Sequence, residues 1–482
     1  MLNFIRPTNT YSNLLCIVYL HFSFMEEYKK HYVAVIGGSI SGSEAASILA
    51  QKGFRVVVFD MKALPYGKIE DGLPNWHINL RNRQQVEIDK KLDQENIRFV
   101  PLVKIGRDIP FRDLVYNWGF TAVILANGAW KDRAFPIKNI DTFRNRGLIY
   151  QNDFIYWFNH KHEPNYKGPH YQIKDQALVV GGGLASLDVV KIFMIELVSA
   201  RLKARFNIDV DVFTLEKFGI DKVLSDHNID FQQLDLKGVT LIYRRTAKDM
   251  PLKSPRDNTK ESIERAREVS ERLLQTYIDK YKFKFKPLRF PVNFIEEDNQ
   301  FKGLVLQKVQ VKDGQIIPLE GAIEKLKSEL LVSSIGSIPE QIEGLEYEWS
   351  ALKMKQEADY HVYGYDHVFA VGNAVTGRGN IQESKQHGQK ITHEIIDKHL
   401  TADALEAWLT NLNTSIKHKT SNQVHSIIDE ISQRDIQPDD IIKSILERTQ
   451  KLNDAHGYNG YKDWIERHKP IRLEEVLAKS DK

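Results

Sequence analysis

The stretch "YVAVIGGSISGSEAASILAQKGFRVVVFD", residues 32–60, predicts a strand, a glycine turn, a helix and a second strand. The apolar run that enters Gly37 is typical of a buried strand, and residues 43–51 have the spacing of a helix. The β-branched run at residues 55–60 suits a strand that is buried on both faces of a parallel sheet. Together these features predict a βαβ unit of the kind that binds a dinucleotide.

The first glycine turn, residues 37–42, departs from the usual pattern at one position. Gly37 permits the tight turn and Gly42 lets the helix pack close to the strand, but Ser39 stands where a glycine lets the backbone approach a pyrophosphate. The serine is tolerable if its hydroxyl points away or itself bonds a phosphate oxygen. Asp60 ends the second strand, where a carboxylate accepts hydrogen bonds from ribose hydroxyls. An acid there suits an unphosphorylated ribose, so this unit is predicted to bind FAD or NAD.

The stretch "ALVVGGGLASLDVVKI", residues 177–192, predicts a second unit of the same kind. Its glycine turn, the second glycine turn, has the pattern Gly-x-Gly-x-x-Ser and is formed by Gly181, Gly183 and Ser186. A small third residue other than glycine keeps the helix slightly further from the strand, which is a common variant. The chain is therefore predicted to carry two nucleotide-binding units.

Two arginines distinguish the second unit from the first. Arg244 and Arg245 follow the strand "VTLIY" at the place where the first unit has Asp60. Guanidinium groups match a phosphate bidentately, whereas a carboxylate at that place would repel it. The natural ligand is the 2′-phosphate of NADPH. Two turns of opposite charge preference predict two different nucleotides, a flavin in the first unit and its electron donor in the second.

The composition excludes several classes of chemistry. The chain has 482 residues, which predicts two or three domains, and its net charge of +3 gives no reason to propose nucleic acid as a partner. Cys16 is the only cysteine, which excludes an intramolecular disulfide, a Cys-x-x-Cys redox pair, a cysteine-ligated iron–sulfur cluster and a cysteine-rich zinc site. Any acceptor of electrons from the flavin must therefore be external.

An apolar run near the start of the chain bears on localisation. Residues 13–24 are too few to cross a bilayer as a helix, and they lack a clean small-residue cleavage site. The sequence from Met25 reads like a natural start just before the first strand, so residues 1–25 are expected to be an upstream mis-start or a disordered tail. A signal peptide is the alternative. We expect a cytoplasmic protein without a membrane span.

Six stretches carry a resemblance to one group of flavoproteins. In chain order they are "VAVIGGSISGSEAA", "ILANGAW", "VVGGGLASLDV", "VTLIYRRTAKDMP", "SSIGSIPE" and "FAVGNAVTGRGNIQES". The chain resembles the group that includes adrenodoxin reductase (ferredoxin–NADP reductase) and the small subunit of glutamate synthase. The cysteines that bind iron–sulfur clusters in glutamate synthase small subunits are absent, so a glutamate synthase subunit that transfers electrons through its own clusters is not expected.

The alternation of strands and helices predicts an α/β fold with parallel, doubly wound sheets. The resemblance implies two Rossmann-like dinucleotide-binding domains, with the NADP domain inserted in a discontinuous FAD domain. The FAD domain would comprise residues 26–145 and 346–400, and the NADP domain residues 146–345. Residues 401–482 lie outside the resemblance, are polar and are predicted to form a helical C-terminal extension. Their aromatic stretch "GYNGYKDWIERHKP" is expected to pack onto the body of the protein rather than to bind a ligand.

The resemblance also enlarges the set of candidate site residues. It places Gly372 and Asn373 against the ribityl–pyrophosphate arm of FAD, and Gly379, Asn380 and Ile381 near the isoalloxazine ring. The complete set for FAD is Gly37, Gly38, Ser39, Gly42, Asp60, Asn127, Gly128, Gly372, Asn373, Gly379, Asn380 and Ile381. The set for NADP is Gly181, Gly183, Leu184, Ser186, Arg244 and Arg245. No catalytic side chain and no metal are expected, because the cofactors carry the chemistry. His77, beside Trp76, is expected on the surface of a loop.

These features favour an FAD-dependent oxidoreductase that passes hydride from NADPH to FAD and on to an external acceptor, a ferredoxin-like protein. Two alternatives stay open. One is an FAD/NADPH enzyme that acts on a small organic substrate, such as a monooxygenase or a glutamate-synthase-type reductase, and the other is a non-enzymatic FAD-binding module. The residues that could receive an acidic ferredoxin by electrostatic attraction are Lys68, Arg81, Arg83 and Arg378.

Overall fold

The computed structural model describes residues 31–348, 350–356, 360–376 and 402–480. Its strands, in chain order, are β1 (Tyr32–Ile36), β2 (Arg55–Phe59), β3 (Ile97–Val100), β4 (Ala122–Leu125), β5 (Lys131–Asp132), β6 (Leu148–Tyr150), β7 (Leu178–Gly181), β8 (Thr240–Ile242), β9 (Lys284–Lys286), β10 (Arg289–Glu297), β11 (Gln300–Lys312), β12 (Gln315–Lys327), β13 (Leu331–Ser334), β14 (Ser337–Ile338), β15 (Tyr347–Glu348), β16 (Ala351–Leu352) and β17 (Val368–Ala370).

The α-helices of the same residues are α1 (Ile40–Gln51), α2 (Lys68–Asp71), α3 (Ile78–Leu92), α4 (Phe111–Asn117), α5 (Gln151–His160), α6 (Leu184–Phe206), α7 (Val212–Phe218), α8 (Ile220–Asp226), α9 (Lys260–Tyr281), α10 (Asn373–Thr376), α11 (Ala402–Ile431), α12 (Asp439–Ala455), α13 (Tyr461–His468) and α14 (Leu473–Ser480). None of them combines the length and the apolar character that crossing a bilayer requires.

The first sheet has five parallel strands in the order β17-β4-β1-β2-β3. Apart from Arg55 at the start of β2, its central strands consist of buried apolar residues, as expected for a parallel sheet covered by helices on both faces. Strand β1 has β2 on one side and β4 on the other, so the order of strands reverses at β1. In open α/β sheets, a crevice at the carboxyl ends of the strands forms at such a point.

The second sheet repeats this plan with five parallel strands in the order β6-β13-β7-β8-β9. The strand order reverses at β7, which pairs with β13 on one side and β8 on the other. Strands β10, β11 and β12 form an antiparallel sheet. The short strands β5 and β14 pair with each other; β5 lies in the chain between β4 and β6, and β14 follows β13.

The C-terminal helices pack into the core of the first sheet. On one face of that sheet, α11 contributes Val424, Ile427 and Ile431, and α13 contributes Tyr461 and Trp464, all of them buried. On the other face, Ile445 of α12 is buried with the residues of β4. The expected packing of the aromatic stretch onto the body is therefore observed, and the extension is part of the same hydrophobic core.

The predicted fold class is confirmed: the chain has two parallel α/β sheets and a helical C-terminal region. The first sheet takes β1 to β4 from one part of the chain and β17 from a part more than two hundred residues later, after the whole second sheet. The domain boundaries themselves stay a prediction. The expectation for residues 1–25 lies outside the described residues.

Candidate functional site

The first glycine turn needs glycine at both of its outer positions. Gly37 has a φ of +100°, and a Cβ atom on it would lie 2.8 Å from the carbonyl oxygen of Ala126. A Cβ atom on Gly42 would lie 1.7 Å from the carbonyl oxygen of Gly37. The start of α1 therefore packs directly on the turn, and its N-terminal N–H groups lie at the carboxyl edge of the sheet, where such groups bind phosphates.

The hydroxyl of Ser39 is bonded within the protein. It donates to the carbonyl oxygen of Tyr66 at 3.0 Å. The neighbouring Gly67 has a φ of +55°, and a Cβ atom on it would lie 2.8 Å from the Ser39 hydroxyl oxygen. Of the two possibilities that the sequence left for Ser39, the structure shows a hydroxyl that is turned towards the loop that contains Tyr66.

Asp60 lies beside the first glycine turn, as its position at the end of β2 predicts. Its carboxylate accepts hydrogen bonds from the backbone N–H of Gly38 at 2.8 Å and from that of Lys62 at 2.9 Å. Burial raises the pKa of Asp60 to about 6, although both backbone hydrogen bonds act in the opposite direction. Each oxygen of the carboxylate has a second lone pair that a ribose hydroxyl can use.

The residues that the resemblance adds fall into two groups. Asn127, Gly128 and Asn373 line the same cavity as the first glycine turn. The side-chain oxygen of Asn373 is buried and has no hydrogen-bond partner among the described residues, so it is free to accept from a ligand. Gly372 has a φ of +65°, and a Cβ atom on it would lie 2.1 Å from the Ser41 hydroxyl oxygen. Three further candidates lie outside the described residues: Gly379, Asn380 and Ile381.

The second glycine turn is open at its middle position, Gly183. A Cβ atom on Gly181 would lie 2.4 Å from the carbonyl oxygen of Ser334, whereas one on Gly183 would have nothing within 4 Å. The hydroxyl of the buried Ser186 donates to the carbonyl oxygen of Gly183 at 2.6 Å and so closes the first turn of α6. Gly183 caps α6, a helix of 23 residues, and Leu184 is its first residue. The N-terminus of a helix of this length favours a bound phosphate.

The two arginines of the second unit have different surroundings. Arg244 is exposed, lines the cavity, and forms no ion pair or hydrogen bond within the described part of the chain. Arg245 donates to the carbonyl oxygen of Gly314 at 2.8 Å and is not part of the cavity wall. The sequence predicts both as ligands of a phosphate, and the structure places only Arg244 at the cavity.

A tyrosine of the second unit was not singled out by the sequence. The ring of Tyr243 lies on the second glycine turn, since a Cβ atom on Gly182 would overlap it at 2.0 Å. The hydroxyl of Tyr243 donates to the carbonyl oxygen of Asp249 at 2.9 Å, which holds the ring in place. Its position directly before Arg244 at the end of a strand was the available signal.

Both glycine turns open into one cavity. The cavity has a volume of about 1410 Å³ and is lined by Gly37, Ser39 and Asp60 of the first unit and by Gly183, Ser186 and Arg244 of the second, among others. Sites for a single small ligand are typically about 300–1,000 Å³. The structure therefore brings the two turns to a common space that is larger than one small ligand needs.

Two of the four cations that the sequence put forward as contacts for a partner protein lie elsewhere than expected. Lys68 faces the cavity and is partly buried, and Arg81 is 4% exposed and forms an ion pair with Glu474. Neither is available on an outer surface for a partner protein. Arg83 is exposed and donates to the hydroxyl of Thr410, and Arg378 lies outside the described residues.

The prediction that His77 lies on a loop surface was wrong. His77 is buried directly before α3, and its Nε2 atom accepts from the indole N–H of Trp76 at 3.2 Å. Burial, with a smaller contribution from the charge of Lys191, lowers the pKa of His77 to about 3. The Lys191 amine also lies 4.1 Å from the centroid of the Trp76 ring. The pair is therefore part of the packing between α3 and α6, with a neutral imidazole.

The C-terminal extension supports the loop at residues 63–67, which contacts the first glycine turn. Tyr461 donates to a carboxylate oxygen of Asp89 at 2.8 Å, and Tyr66 donates to the other oxygen at 3.0 Å. The indole N–H of Trp464 donates to the carbonyl oxygen of Ala63 at 2.7 Å. These bonds hold residues 63–67, the loop that accepts from the Ser39 hydroxyl.

The extension also contributes to the cavity wall: two residues of α11 line the cavity, Asn413 and Ile416.

Comparison with curated proteins finds similarity to the two classes that the sequence suggested. The chain is 24% identical over 167 residues to the mitochondrial NADPH:adrenodoxin oxidoreductase of Arabidopsis thaliana, a match that covers 34% of this chain and 33% of that protein. It is 32% identical over 162 residues to the glutamate synthase [NADPH] small chain of Bacillus subtilis, covering 33% and 31%. A probable ferredoxin/ferredoxin–NADP reductase of Mycobacterium leprae is 29% identical over 161 residues, covering 33% and 28%.

The matches with these relatives span about a third of their length or less. No family model matches the chain. Among solved structures, FprA of Mycobacterium tuberculosis in complex with NADPH matches over 87% of this chain and 90% of its own, with a TM-score of 0.59 and 18% identity. The expected resemblance is confirmed: the chain is similar to adrenodoxin reductase and the glutamate synthase small chain over a third of its length, and it has the fold of FprA.

Proposed function

We propose that this chain is an FAD-dependent oxidoreductase that takes hydride from NADPH and passes the electrons to a ferredoxin-like protein. The observation that carries the proposal is the single cavity of about 1410 Å³ into which both glycine turns open. Hydride transfer between two nucleotides needs their rings in contact, and the chemistry then belongs to the cofactors. A protein that holds two nucleotide-binding turns on one cavity meets this need.

The first glycine turn would hold FAD. The N–H groups at the start of α1 suit the pyrophosphate, and the carboxylate of Asp60 suits the ribose hydroxyls of the adenosine. The buried side-chain oxygen of Asn373, which lacks a partner among the described residues, suits a hydroxyl of the ribityl chain. When bound, FAD supplies the hydride-accepting ring, and the protein residues bind and orient it.

The second glycine turn would hold NADPH. The N-terminus of α6 suits its pyrophosphate, and the Arg244 guanidinium, exposed at the cavity and without an ion-pair partner in the described chain, suits its 2′-phosphate. Several similar proteins carry NADPH or NADP in their names, and FprA was solved with NADPH bound. These likenesses are consistent with NADPH as the donor.

Fewer observations support a ferredoxin-like acceptor than support the two nucleotides. One relative is named as an adrenodoxin oxidoreductase and another as a ferredoxin–NADP reductase. The single cysteine of the chain excludes an internal disulfide as the acceptor. Because reduced flavin can release electrons one at a time, a one-electron carrier is compatible with this site.

The test of the two cofactors uses the purified full-length protein under anaerobic conditions. The protein should be yellow, and NADPH should bleach the flavin absorbance at least tenfold faster than NADH at equal concentration. Arg244→Ala should reduce this preference by about 10- to 100-fold, because a charge-assisted contact contributes about 1.5–3 kcal/mol. Arg245→Ala is the matched control and should change the preference by less than about threefold.

Each outcome of this experiment discriminates between the candidate functions. Bleaching by neither nucleotide would contradict the proposal and favour a non-enzymatic flavin-binding module. With bleaching established, ferredoxin, flavodoxin, quinone and oxygen are compared as acceptors by the rate of flavin reoxidation. Fast reoxidation by ferredoxin supports the proposed partner, and slow reoxidation by ferredoxin, flavodoxin and quinone alike would favour an enzyme that acts on a small organic substrate.

A further inference from the structure

One lysine of the cavity wall is held by neutral partners. Lys68 is the first residue of α2, and its amine donates to the side-chain oxygen of Asn152 at 3.3 Å and to the hydroxyl of Ser337 at 3.0 Å. The same amine lies 5.8 Å from the centroid of the Trp130 ring. Both hydrogen-bond partners are uncharged, so they orient the amine without neutralising its charge.

Other lysines of the same two units have a carboxylate partner. The pairs are Lys62 with Asp71 at 3.6 Å, Lys104 with Glu340 at 2.6 Å and Lys191 with Glu216 at 2.7 Å. For Lys68, by contrast, no ion pair is found with any carboxylate of the described ranges, and Asp132 acts on it only through its electrostatic field. Lys68 is thus a cavity-facing cation without a direct counter-charge.

The charge of Lys68 persists at neutral pH. Burial lowers the pKa of Lys68 to about 8, and the carboxylate of Asp132 acts in the opposite direction. The amine is therefore mostly protonated at pH 7. Holding a cation partly away from water without a counter-ion is unfavourable. A site with this property is stabilised when a ligand brings a negative charge to it.

Lys68 lies where the two units meet. It belongs to the loop that follows the first sheet's β2, whereas Asn152 in α5 and Ser337 in β14 come from the segment that contains the second sheet. Lys68, Trp130 and Ser337 all line the cavity into which both glycine turns open. Two nucleotides bound at the two turns would share this cavity, and Lys68 is one of the cations that line it.

We propose that Lys68 is the residue that compensates the negative charge which the flavin ring acquires on reduction. This inference rests on the proposed function. A hydride carries two electrons and one proton, so a neutral flavin that accepts it gains one negative charge unless a second proton follows, while NADPH becomes NADP⁺. A fixed ammonium group beside the ring stabilises the reduced form relative to the oxidised form and thereby raises the reduction potential of the bound flavin.

The test measures the reduction potential of FAD in the holoprotein, together with the affinity of the same protein for NADP⁺. Lys68→Met should lower the two-electron potential by about 30 mV or more, which corresponds to a tenfold loss of preference for the reduced flavin. Lys68→Arg keeps the charge and should restore most of the potential. Lys62→Met is the matched control, since it removes the same charge from a cavity lysine whose side chain is 41% exposed, and it should leave the potential unchanged.

Two results would overturn the inference. An unchanged potential in Lys68→Met with a loss of NADP⁺ affinity would make Lys68 a phosphate ligand, and no change in either would make it a structural residue. Thermal unfolding shows whether the Met variant is folded, and Lys68→Gln takes its place if it is not. A wild-type protein that retains no flavin contradicts the proposed function itself, an outcome that is distinct from both of these.

Discussion

The two glycine turns share one cavity but differ in how tightly the protein surrounds them. The first is enclosed: Ser39 is bonded to the loop at Tyr66, Asp60 is bonded to two backbone N–H groups, and helices of the C-terminal extension support that loop. The second is crowded at Gly181 and Gly182 but open at Gly183, where a Cβ atom would meet nothing within 4 Å, and Arg244 is exposed. An enclosed site suits a cofactor that stays bound, and an open site suits a nucleotide that enters and leaves at every turnover. The comparison can be tested one residue at a time.

The largest effect is expected from Gly42→Ala in the first turn. The new Cβ atom would lie 1.7 Å from the Gly37 carbonyl oxygen, so α1 would have to move away from the sheet, at a cost of about 3 kcal/mol. We expect purified protein without flavin and with a lower midpoint of thermal unfolding. Gly183→Ala, at the middle position of the second turn, is the control, because its Cβ atom has no protein atom within 4 Å. Equal damage by both substitutions would show that the two turns are enclosed alike.

A smaller effect is expected from Tyr461→Phe in the extension. The substitution keeps the ring but removes a hydrogen bond to the carboxylate of Asp89, which contributes about 2 kcal/mol. The free energy of unfolding in urea should fall by that amount, and FAD should dissociate faster. Tyr458→Phe is the control, since the Tyr458 hydroxyl has no hydrogen bond within the described residues. If FAD dissociates from both variants at the wild-type rate, the extension does not support the site.

The pH should affect the binding of FAD at the first turn. The pKa of Asp60 is about 6 without a ligand, and hydrogen bonds from ribose hydroxyls favour the ionised carboxylate. Binding of FAD then releases a proton, so the affinity should fall as the pH falls below 6, by at most tenfold per pH unit, or about 1.4 kcal/mol. Titration of the apoprotein with FAD measures this slope. Asp60→Asn cannot titrate and should abolish it, and a slope that persists in this variant would have another source.

The smallest effect is expected from Ser39→Ala. It removes one neutral hydrogen bond, from the Ser39 hydroxyl to the Tyr66 carbonyl oxygen, and this contributes about 1 kcal/mol. The affinity for FAD should fall by about fivefold or less. A loss of a hundredfold or more would mean that the hydroxyl contacts the phosphates when the nucleotide is bound, which is the other possibility that the sequence left open.

The sequence was most informative where the relevant interactions are local. The glycine turns and the acid after β2 follow from residues within one βαβ unit, since strand, turn and helix each have a signal of short range. The difference between Arg244 and Arg245 depends on Gly314, a residue about seventy positions away in the turn between β11 and β12. No pattern within a single unit indicates such a contact.

The same reason explains what the sequence missed in the extension and at Lys68. Tyr461 reaches Asp89 across 372 positions, and Lys68 reaches Ser337 across 269. Burial reversed the expectation for His77, because the loop that carries it packs on α6. Side chains that look like surface residues in a linear sequence become buried once two distant segments pack together.

The distribution of the first sheet along the chain has a consequence for biosynthesis. β1 to β4 emerge from the ribosome before the second sheet, but β17 at Val368–Ala370 and two helices that cover the first sheet, α11 and α13, emerge after it. The second sheet is complete at β13, well before that point. Domains generally fold as units during synthesis. The sheet that begins later in the sequence is therefore the first that can finish folding, and the first glycine turn obtains its support from α11 and α13 only after the second sheet is complete.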